Sequence, residues 1–362
     1  MNIKNLANSV LGPIIRYRRK NFYGSHLKEF AKTLEVRDVL TADEIKAAKD
    51  AGMGKDYLTY LNFYKSATGN FSLDYIPCWL YAAIEYSLNH RRFEGFAQHK
   101  CNLRFFVPAE NRPETLVYRI DGVIYDKENN VISREMCLEI LQNESQFVYK
   151  VATGTGGGIG VKKIDTKDPE SVKIIHRALD KLSNDFICQK ILRQNEFMAS
   201  LSGGSVNTIR MLTLNLNGKF TLLSAFLRMG PVGSFTDNVC GGGMRCGIDA
   251  DGNFCEFGYL QSFEKTLTSP NGTSLKGLKI DNFDKITKLL EKLSYNFQQM
   301  HLIGWDIAIR EDGEPVVIEV NLDSCVLPTH QLFNGPIFGN RTQEVMDYYH
   351  EHQPHLMLKI PF

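Results

Sequence analysis

Three side chains with oxygen donors stand near the C-terminal end of the sequence with the types and spacing of a metal site. Asp306 precedes the dipeptide Asp312-Gly313, and Glu319 and Asn321 follow it. An Asp-Gly pair between two runs of alternating apolar residues predicts a β-hairpin with a two-residue turn. In that register Asp306 lies directly across from Glu319, and Asn321 shares their face. The hairpin therefore brings two carboxylates and one amide together.

Two carboxylates that face each other across a hairpin repel unless a cation lies between them. Three oxygen ligands, two of them anionic, suit a hard ion such as Mg²⁺, which also binds phosphate oxygens. A half-solvated sheet face with scattered acidic residues fits the same pattern, so the hairpin alone leaves both interpretations open. The same register predicts a single apolar row on the opposite face, formed by Trp305, Ile307, Ile309, Val316, Ile318 and Val320.

A glycine-rich stretch at residues 153–160 is a second candidate site, between predicted strands at 147–152 and 161–164. Five glycines in seven residues leave backbone N–H groups unobstructed for phosphate oxygens. The stretch lacks the Gly-Lys-Ser/Thr ending of a P-loop and precedes a strand, not a helix. A strand-loop-strand phosphate cover and an exposed surface hairpin both remain open. Lys150, on the strand that enters the loop, adds a positive charge and favours the phosphate cover.

Two arginines and an asparagine form a third group. Arg210 lies in a predicted strand, and Arg228 ends the next one, after a predicted hairpin turn at Asn217-Gly218. Guanidinium groups near a polyphosphate stabilise charge that develops on a transferred phosphoryl group. Each arginine taken alone fits an ordinary ion pair equally well. Asn238 follows, just before a second run of glycines at 241–243.

The elements that must position these groups divide the chain into three parts. Residues 1 to about 95 are predicted to be mainly helical, with a capping box at Thr41 and Glu44. Short strands begin near Leu103, so we expect a domain boundary near residue 98. A predicted strand at 186–192 and a predicted helix at 283–300 complete the framework, and the helix leads directly into the hairpin.

Composition narrows the class of protein. A chain of 362 residues is long enough for two or three domains, and a net charge of +1 gives no reason to expect nucleic acid as a partner. The eight cysteines form no zinc pattern, including the nearest group of Cys240, Cys246 and Cys255, and are typical of free thiols in a reducing cytoplasm. With neither a signal peptide nor a transmembrane segment, we expect a soluble, cytoplasmic protein.

Four basic residues near the N-terminus are compatible with peripheral contact with an anionic membrane. Their pattern favours the other interpretation, a solvent-exposed helix surface. These residues are Arg16, Arg18, Arg19 and Lys20.

The order of these motifs resembles the ATP-grasp superfamily. The resemblance is closest to the sugar-transfer-associated ATP-grasp proteins of polysaccharide biosynthesis and more distant to RimK-like glutamate ligases. It covers residues 99–340 and implies an α+β fold, in which two α+β subdomains clamp ATP after a mainly helical N-terminal region. The expected parts are 1–98, 99–190 and 191–362. The motifs are Lys150 to Gly160, the segment 186–192, Asn207-Thr-Ile-Arg210, Arg228, Asp237-Asn238 with Gly241 to Gly243, Gly304-Trp-Asp306 and Glu319-Val-Asn321.

The resemblance also implies roles for individual residues. The expected Mg²⁺ ligands, which would accept Mn²⁺ as well, are Asp306, Glu319 and Asn321. The expected ATP contacts are Lys100, Lys150, Gly156, Gly157 and Gly158 at the phosphates, Gln189, Lys190, Ile191 and Leu192 at the adenine, and Glu196 at the ribose. The residues expected to face the transferred phosphoryl group and the acyl intermediate are Arg210, Arg228 and Asn238. Position 190 is a lysine here, whereas many relatives carry an acidic residue. We therefore expect the backbone of Lys190, and not its side chain, to contact adenine.

The activity implied by the resemblance is an ATP- and Mg²⁺-dependent, ADP-forming ligation of a carboxylate to an amine through an acyl phosphate. The expected substrates are a small-molecule acid, such as a sugar acid or amino acid, and an amine or sugar-linked acceptor in surface polysaccharide synthesis. A phosphotransferase on the same scaffold and a nucleotide-binding protein without turnover are the alternatives.

Overall fold

The computed structural model describes residues 27, 31–32, 34–89, 91–154, 158–181, 185–235, 237, 242–323 and 327–352. Several residues named above lie outside these ranges, namely Arg16, Arg18, Arg19, Lys20, Gly156, Gly157, Asn238, Cys240 and Gly241.

The first elements in the described part are helices, as the sequence predicts. The capping box is confirmed, because the Thr41 hydroxyl accepts from the Glu44 N–H while the Glu44 carboxylate accepts from the Thr41 N–H. Two short 3₁₀ turns, Lys100–Phe105 and Ala109–Asn111, follow the helices. The helices are α1 (Ala42–Asp50), α2 (Lys55–Thr68), α3 (Cys78–Leu88) and α4 (Arg91–Gln98).

A five-stranded antiparallel sheet comes next, in the order β2-β1-β5-β3-β4. Two helices, α5 (Arg134–Gln142) and α6 (Pro169–Asp180), cover one face through an apolar core that includes Leu141, Ile175 and Phe147. The strands predicted on both sides of the glycine-rich loop are confirmed as β3 and β4. The strands are β1 (Thr115–Ile120), β2 (Val123–Asp126), β3 (Gln146–Val151), β4 (Val161–Asp165) and β5 (Phe186–Lys190).

A seven-stranded antiparallel sheet follows, in the order β10-β9-β8-β7-β6-β11-β12. The predicted turn at Asn217-Gly218 is confirmed, because Leu216 pairs with Lys219 and both turn residues have positive φ, 55° and 72°. The strands are β6 (Thr208–Leu216), β7 (Lys219–Met229), β8 (Met244–Ile248), β9 (Phe254–Leu260), β10 (Lys265–Thr266), β11 (Leu302–Ile309) and β12 (Pro315–Asn321).

Helices cover both faces of the larger sheet. One core joins Trp305 of β11 to α8, and a second core joins Leu212 of β6 to α3 and α10. The predicted helix at 283–300 is shorter than expected, because turns replace it after Ser294 and Gln299 takes a positive φ of 70°. The remaining helices are α7 (Glu196–Ser200), α8 (Phe283–Ser294), α9 (Leu327–Asn334) and α10 (Thr342–His352).

The hairpin of β11 and β12 corrects one part of the sequence-based prediction and confirms another. Asp306 does pair with Glu319, but the turn contains the three residues 311–313, since the Arg310 N–H donates to the Glu314 carbonyl at 2.9 Å. Pairing near the turn is therefore shifted by one residue. Ile318 bulges out of β12 and restores the predicted register at Glu319.

The shifted register changes which side chains face the core. Val317, in register with Ile307, joins the apolar core beside Trp305. The predicted apolar row is therefore wrong at Val316 and Ile318, and the cause is the longer turn. Ile318 instead lines a cavity between the two sheets, next to Glu319.

The structure is α+β, as predicted from the sequence. The expected boundaries at 98 and 190 stay predictions, although the first sheet ends at Lys190. Within the described ranges, no helix combines the length and the apolarity that a membrane span requires.

Candidate active site

A cavity lies where the two sheets face each other. The first sheet contributes Lys150 of β3 and the end of β5, and the second contributes Arg228, Asp306 and Glu319. Residues predicted for a nucleotide site from distant parts of the sequence therefore share one cavity. Those that line it are Lys100, Lys150, Gly158, Gln189, Lys190, Ile191, Leu192, Arg228, Asp306 and Glu319.

Asp306 is held by two arginines. Arg210 is its register partner on β6, and its Nη2 donates to the Asp306 carboxylate at 2.9 Å. Arg228, one strand further away, donates from Nη1 to the same oxygen at 3.0 Å. Burial raises the pKa of Asp306, but the two guanidiniums outweigh burial and hold that pKa well below its ordinary value. The sequence pattern suggested a metal ion as the partner of the negative charge on Asp306. In the structure, the two arginines compensate that charge at least in part.

The carboxylate pair still fits a hard cation. Oxygens of Asp306 accept three hydrogen bonds from the arginines, and a carboxylate has about four lone-pair positions, so about one remains. The buried side-chain nitrogen of Asn321 has no hydrogen-bond partner among the described residues. Because the oxygen and nitrogen of an amide are assigned by their contacts, the reversed amide would offer its oxygen at that position.

The donor set is then two carboxylates and one amide oxygen, which suits Mg²⁺. Among the described residues, no three His, Cys, Asp or Glu side chains gather into a metal site. The Mg²⁺ ligand roles of Asp306, Glu319 and Asn321 remain predictions.

Two lysines face the carboxylates. The Lys100 ammonium lies 3.3 Å from the Glu319 carboxylate, and its backbone N–H donates to the Ala152 carbonyl at 3.1 Å. That bond ties the 3₁₀ turn to the residue after β3. Burial lowers the pKa of Lys150 to about 8, although nearby Glu319 opposes the shift. A buried ammonium with this pKa needs an anionic partner to stay fully charged near neutral pH.

The segment at the end of β5 forms another wall. Lys190 donates its backbone N–H to the Glu114 carbonyl at 2.9 Å, and its ammonium lies 2.9 Å from the Glu114 carboxylate. The side chain that departs from many relatives is thus engaged by an ion pair near the surface. Ile191 and Leu192 supply an apolar wall at this end of the cavity.

Some predicted site residues are not brought to the cavity wall. Glu196 begins α7 and is exposed, outside the cavity lining, so its role as a ribose ligand stays a prediction. Arg210 does not line the cavity either, but it donates a hydrogen bond to Asp306, which does. Gly156, Gly157 and Asn238 lie outside the described residues. Of the neighbouring loop glycines, Gly158 lines the cavity with a positive φ of 78°.

Two residues of the cavity, Thr208 and Asp237, received no role from sequence reasoning, although both lie in motifs named above. The Thr208 hydroxyl donates to the Asp237 carboxylate, and Arg228 Nη2 donates to Asp237 at 3.2 Å. Burial raises the pKa of Asp237, against the effect of Arg228. The alternation of Thr208 and Arg210 along one strand was a usable signal for Thr208, since both point to the same face.

The family model for sugar-transfer associated ATP-grasp proteins matches residues 119–347, which is more than half of the chain. The chain therefore belongs to the sugar-transfer associated ATP-grasp family, and the ATP-grasp fold expected from the sequence is confirmed. No curated protein matches the chain in sequence.

Several solved structures are similar to the chain at low sequence identity. D-alanyl-alanine synthetase A from Vibrio cholerae is 13% identical with a TM-score of 0.43, over 71% of this chain and 65% of that chain. The ATP-grasp ligase PsnB with its minimal precursor is 13% identical with a TM-score of 0.40, over 72% and 64%. The L-amino acid ligase from Bacillus licheniformis is 12% identical with a TM-score of 0.38, over 68% and 48%. The chain thus spans less than two thirds of the length of each of these structures.

Proposed function

We propose that the protein is an ATP- and Mg²⁺-dependent ligase that joins a carboxylate to an amine and releases ADP and phosphate. One observation carries the proposal: a single cavity gathers Lys100, Lys150 and Arg228 around Asp306 and Glu319, with the apolar segment after β5 as another wall. The positively charged side chains can bind a polyphosphate, and the carboxylates can bind the metal ion that accompanies it. The apolar wall can contact a purine ring.

The nucleotide would lie across the cavity with its adenine at the segment 189–192. Lys100, Lys150 and the glycine-rich loop would hold the phosphates. Asp306, Glu319 and Asn321 would hold Mg²⁺, or Mn²⁺ in its place, and the metal would neutralise charge on the phosphate oxygens. We also propose the predicted parts 99–190 and 191–362 as the two subdomains that enclose the nucleotide.

The residues present suit chemistry that needs no protein nucleophile. A carboxylate is a poor acyl donor until one of its oxygens bonds to the γ-phosphorus of ATP and the bond to ADP breaks. The resulting acyl phosphate is attacked by the amine, which expels phosphate. The chain contributes position and positive charge, chiefly through Arg228 and Arg210, which face negative charge next to the transferred group.

The substrates follow from the family and from the chemistry. We propose that the acid is a sugar acid or an amino acid, and that the amine or sugar-linked acceptor belongs to surface polysaccharide synthesis. Family membership supports this class of substrate through the association of its members with sugar transfer. The helical region 1–98 is proposed to lie outside the nucleotide clamp.

A substrate panel tests the proposal. Purified protein is given ATP and Mg²⁺ with sugar acids or amino acids, each alone and with a set of amines, and the products are separated. The proposal predicts that ADP and phosphate appear only when both acid and amine are present, and that hydroxylamine traps an acyl hydroxamate.

Three other results would overturn the proposal. AMP and pyrophosphate would show an acyl adenylate instead of an acyl phosphate. A phosphorylated hydroxyl without hydroxamate would identify a phosphotransferase. Tight ATP binding without turnover on any acceptor would identify a nucleotide-binding protein that has no ligase activity.

A further inference from the structure

Asp237 reaches the cavity from the connection between β7 and β8, and Phe235 of the same connection also lines it. Its side chain is 15% exposed and lines the cavity together with Arg228 and Asp306. Two donors fix it, the hydroxyl of Thr208 and the guanidinium of Arg228. Thr208 and Arg228 are themselves register partners on β6 and β7.

The Arg228 guanidinium is held by a different carboxylate at each end. Nη1 donates to Asp306 at 3.0 Å, and Nη2 donates to Asp237 at 3.2 Å. A planar guanidinium with two charge-assisted bonds in different directions has little freedom to rotate. Asp306 also accepts from Arg210 and is the predicted metal ligand, so its oxygens are shared among several partners. Asp237 accepts from Thr208 and Arg228 and is not a predicted metal ligand, so it is the better anchor.

We propose that Asp237 is a positioning residue that fixes the guanidinium of Arg228 toward the terminal phosphate of the bound nucleotide, with the Thr208 hydroxyl holding Asp237 in turn. This inference rests on the proposed function, because it requires a nucleotide in the cavity. In this proposal Asp237 acts on the reaction through Arg228, whose guanidinium it accepts from.

The terminal phosphate provides a readout that needs no acceptor substrate. ADP lacks that phosphate, and the non-hydrolysable analogue AMP-PNP carries a group in its place. A residue that positions Arg228 for the terminal phosphate affects the affinity for AMP-PNP and leaves the affinity for ADP nearly unchanged. A residue needed only for folding weakens both ligands together.

The experiment measures the dissociation constants of ADP and AMP-PNP with Mg²⁺ by titration calorimetry. The full-length wild type is compared with Asp237→Asn, Arg228→Met and the double variant. The wild type is expected to prefer AMP-PNP. Asp237→Asn is expected to lower that preference about tenfold, the size of one charge-assisted hydrogen bond. The double variant is expected to show no further loss beyond Arg228→Met, because Asp237 acts through that arginine.

Thr208 supplies a matched pair of variants that leaves both charged residues in place. Thr208→Ser keeps the hydroxyl that donates to Asp237 and is expected to keep the wild-type preference. Thr208→Val keeps the shape and removes the hydroxyl, so it is expected to lose part of the preference. This pair decides the question even where Asp237→Asn fails to fold.

Several results would overturn the inference. These are equal losses for ADP and AMP-PNP in Asp237→Asn, an unchanged preference in both Asp237→Asn and Thr208→Val, or a further loss in the double variant. The last result would mean that Asp237 acts independently of Arg228, for example by taking a proton from the amine. A wild type that binds neither nucleotide would overturn the proposed function as well, whereas the other results leave the nucleotide site intact.

Discussion

The lowered pKa of the half-buried Lys150 predicts a proton signal when a nucleotide binds. Burial lowers the pKa of Lys150 to about 8, so a large share of the free protein carries a neutral amine at that pH. Phosphate oxygens next to the nitrogen favour its charged form and raise the pKa again. Nucleotide binding therefore takes up protons from solution at a pH between about 8 and the higher pKa of the bound state.

The size of the signal follows from the pKa. At pH 8 about half of the Lys150 side chains are neutral, and at pH 7 about one in ten, so binding takes up about 0.5 proton at pH 8 and about 0.1 proton at pH 7. The same proton uptake sets the direction of the pH dependence. Because Lys150 gains a proton when the nucleotide binds, nucleotide affinity is expected to fall as the pH rises above about 8.

Titration calorimetry of AMP-PNP in buffers of different ionisation enthalpy measures this proton count directly. Lys150→Met is expected to remove the uptake at pH 8 and to weaken binding. Lys162→Met is the matched control. Lys162 lies on β4 and is exposed, and its register partner is Tyr149 of β3. Its side chain therefore lies on the opposite face of the sheet from that of Lys150. The reasoning is refuted by wild-type binding without proton uptake at pH 8, or by an uptake that persists in Lys150→Met.

Three further substitutions test other parts of the site and its framework. Glu319→Gln removes a charge but little volume, so it is expected to abolish ADP release while the circular dichroism spectrum stays unchanged. Lys190→Ala removes an ammonium paired near the surface and keeps the backbone, so nucleotide affinity is expected to change less than about fivefold. Asn89→Ala leaves the backbone groups of Leu302 and the Leu322 carbonyl without their buried partner, so the free energy of unfolding in urea is expected to fall by about 3 kcal/mol or more.

Each of these substitutions has an outcome that contradicts its premise. Wild-type turnover in Glu319→Gln would remove Glu319 from the metal site. A large loss of affinity in Lys190→Ala would mean that the side chain, and not the backbone, contacts the nucleotide. An unchanged urea midpoint in Asn89→Ala would mean that the three hydrogen bonds of Asn89 add little to the attachment of α3 to the hairpin of β11 and β12.

Local patterns predicted the elements well and their long-range partners poorly. The Asp-Gly pair and the flanking alternation were enough to place Asp306 opposite Glu319. They gave the wrong turn length, because Glu311 joins the turn and the bulge at Ile318 restores the register. No local signal distinguishes those two compensating irregularities from a regular hairpin, so Val316 and Ile318 were assigned to the wrong face.

The charge balance of the site also depended on pairing that sequence patterns do not reveal. Arg210 meets Asp306 because β6 lies beside β11, across 96 positions of sequence. The sequence indicated both residues but not their contact, so the cation suggested for the opposed carboxylates was a metal ion and not an arginine. Asp237 received no role for a related reason: its partners Thr208 and Arg228 lie on two neighbouring strands whose pairing brings them together.

The central claim is that the cavity activates a carboxylate as an acyl phosphate, and oxygen-18 transfer tests it most directly. The acid found in the substrate panel is labelled with oxygen-18 in its carboxylate, and the phosphate released with ADP is analysed by mass spectrometry. An acyl phosphate predicts one labelled oxygen in each phosphate, because the carboxylate oxygen that attacks the phosphorus leaves with it. Phosphate without label, or label in AMP, would contradict the claim.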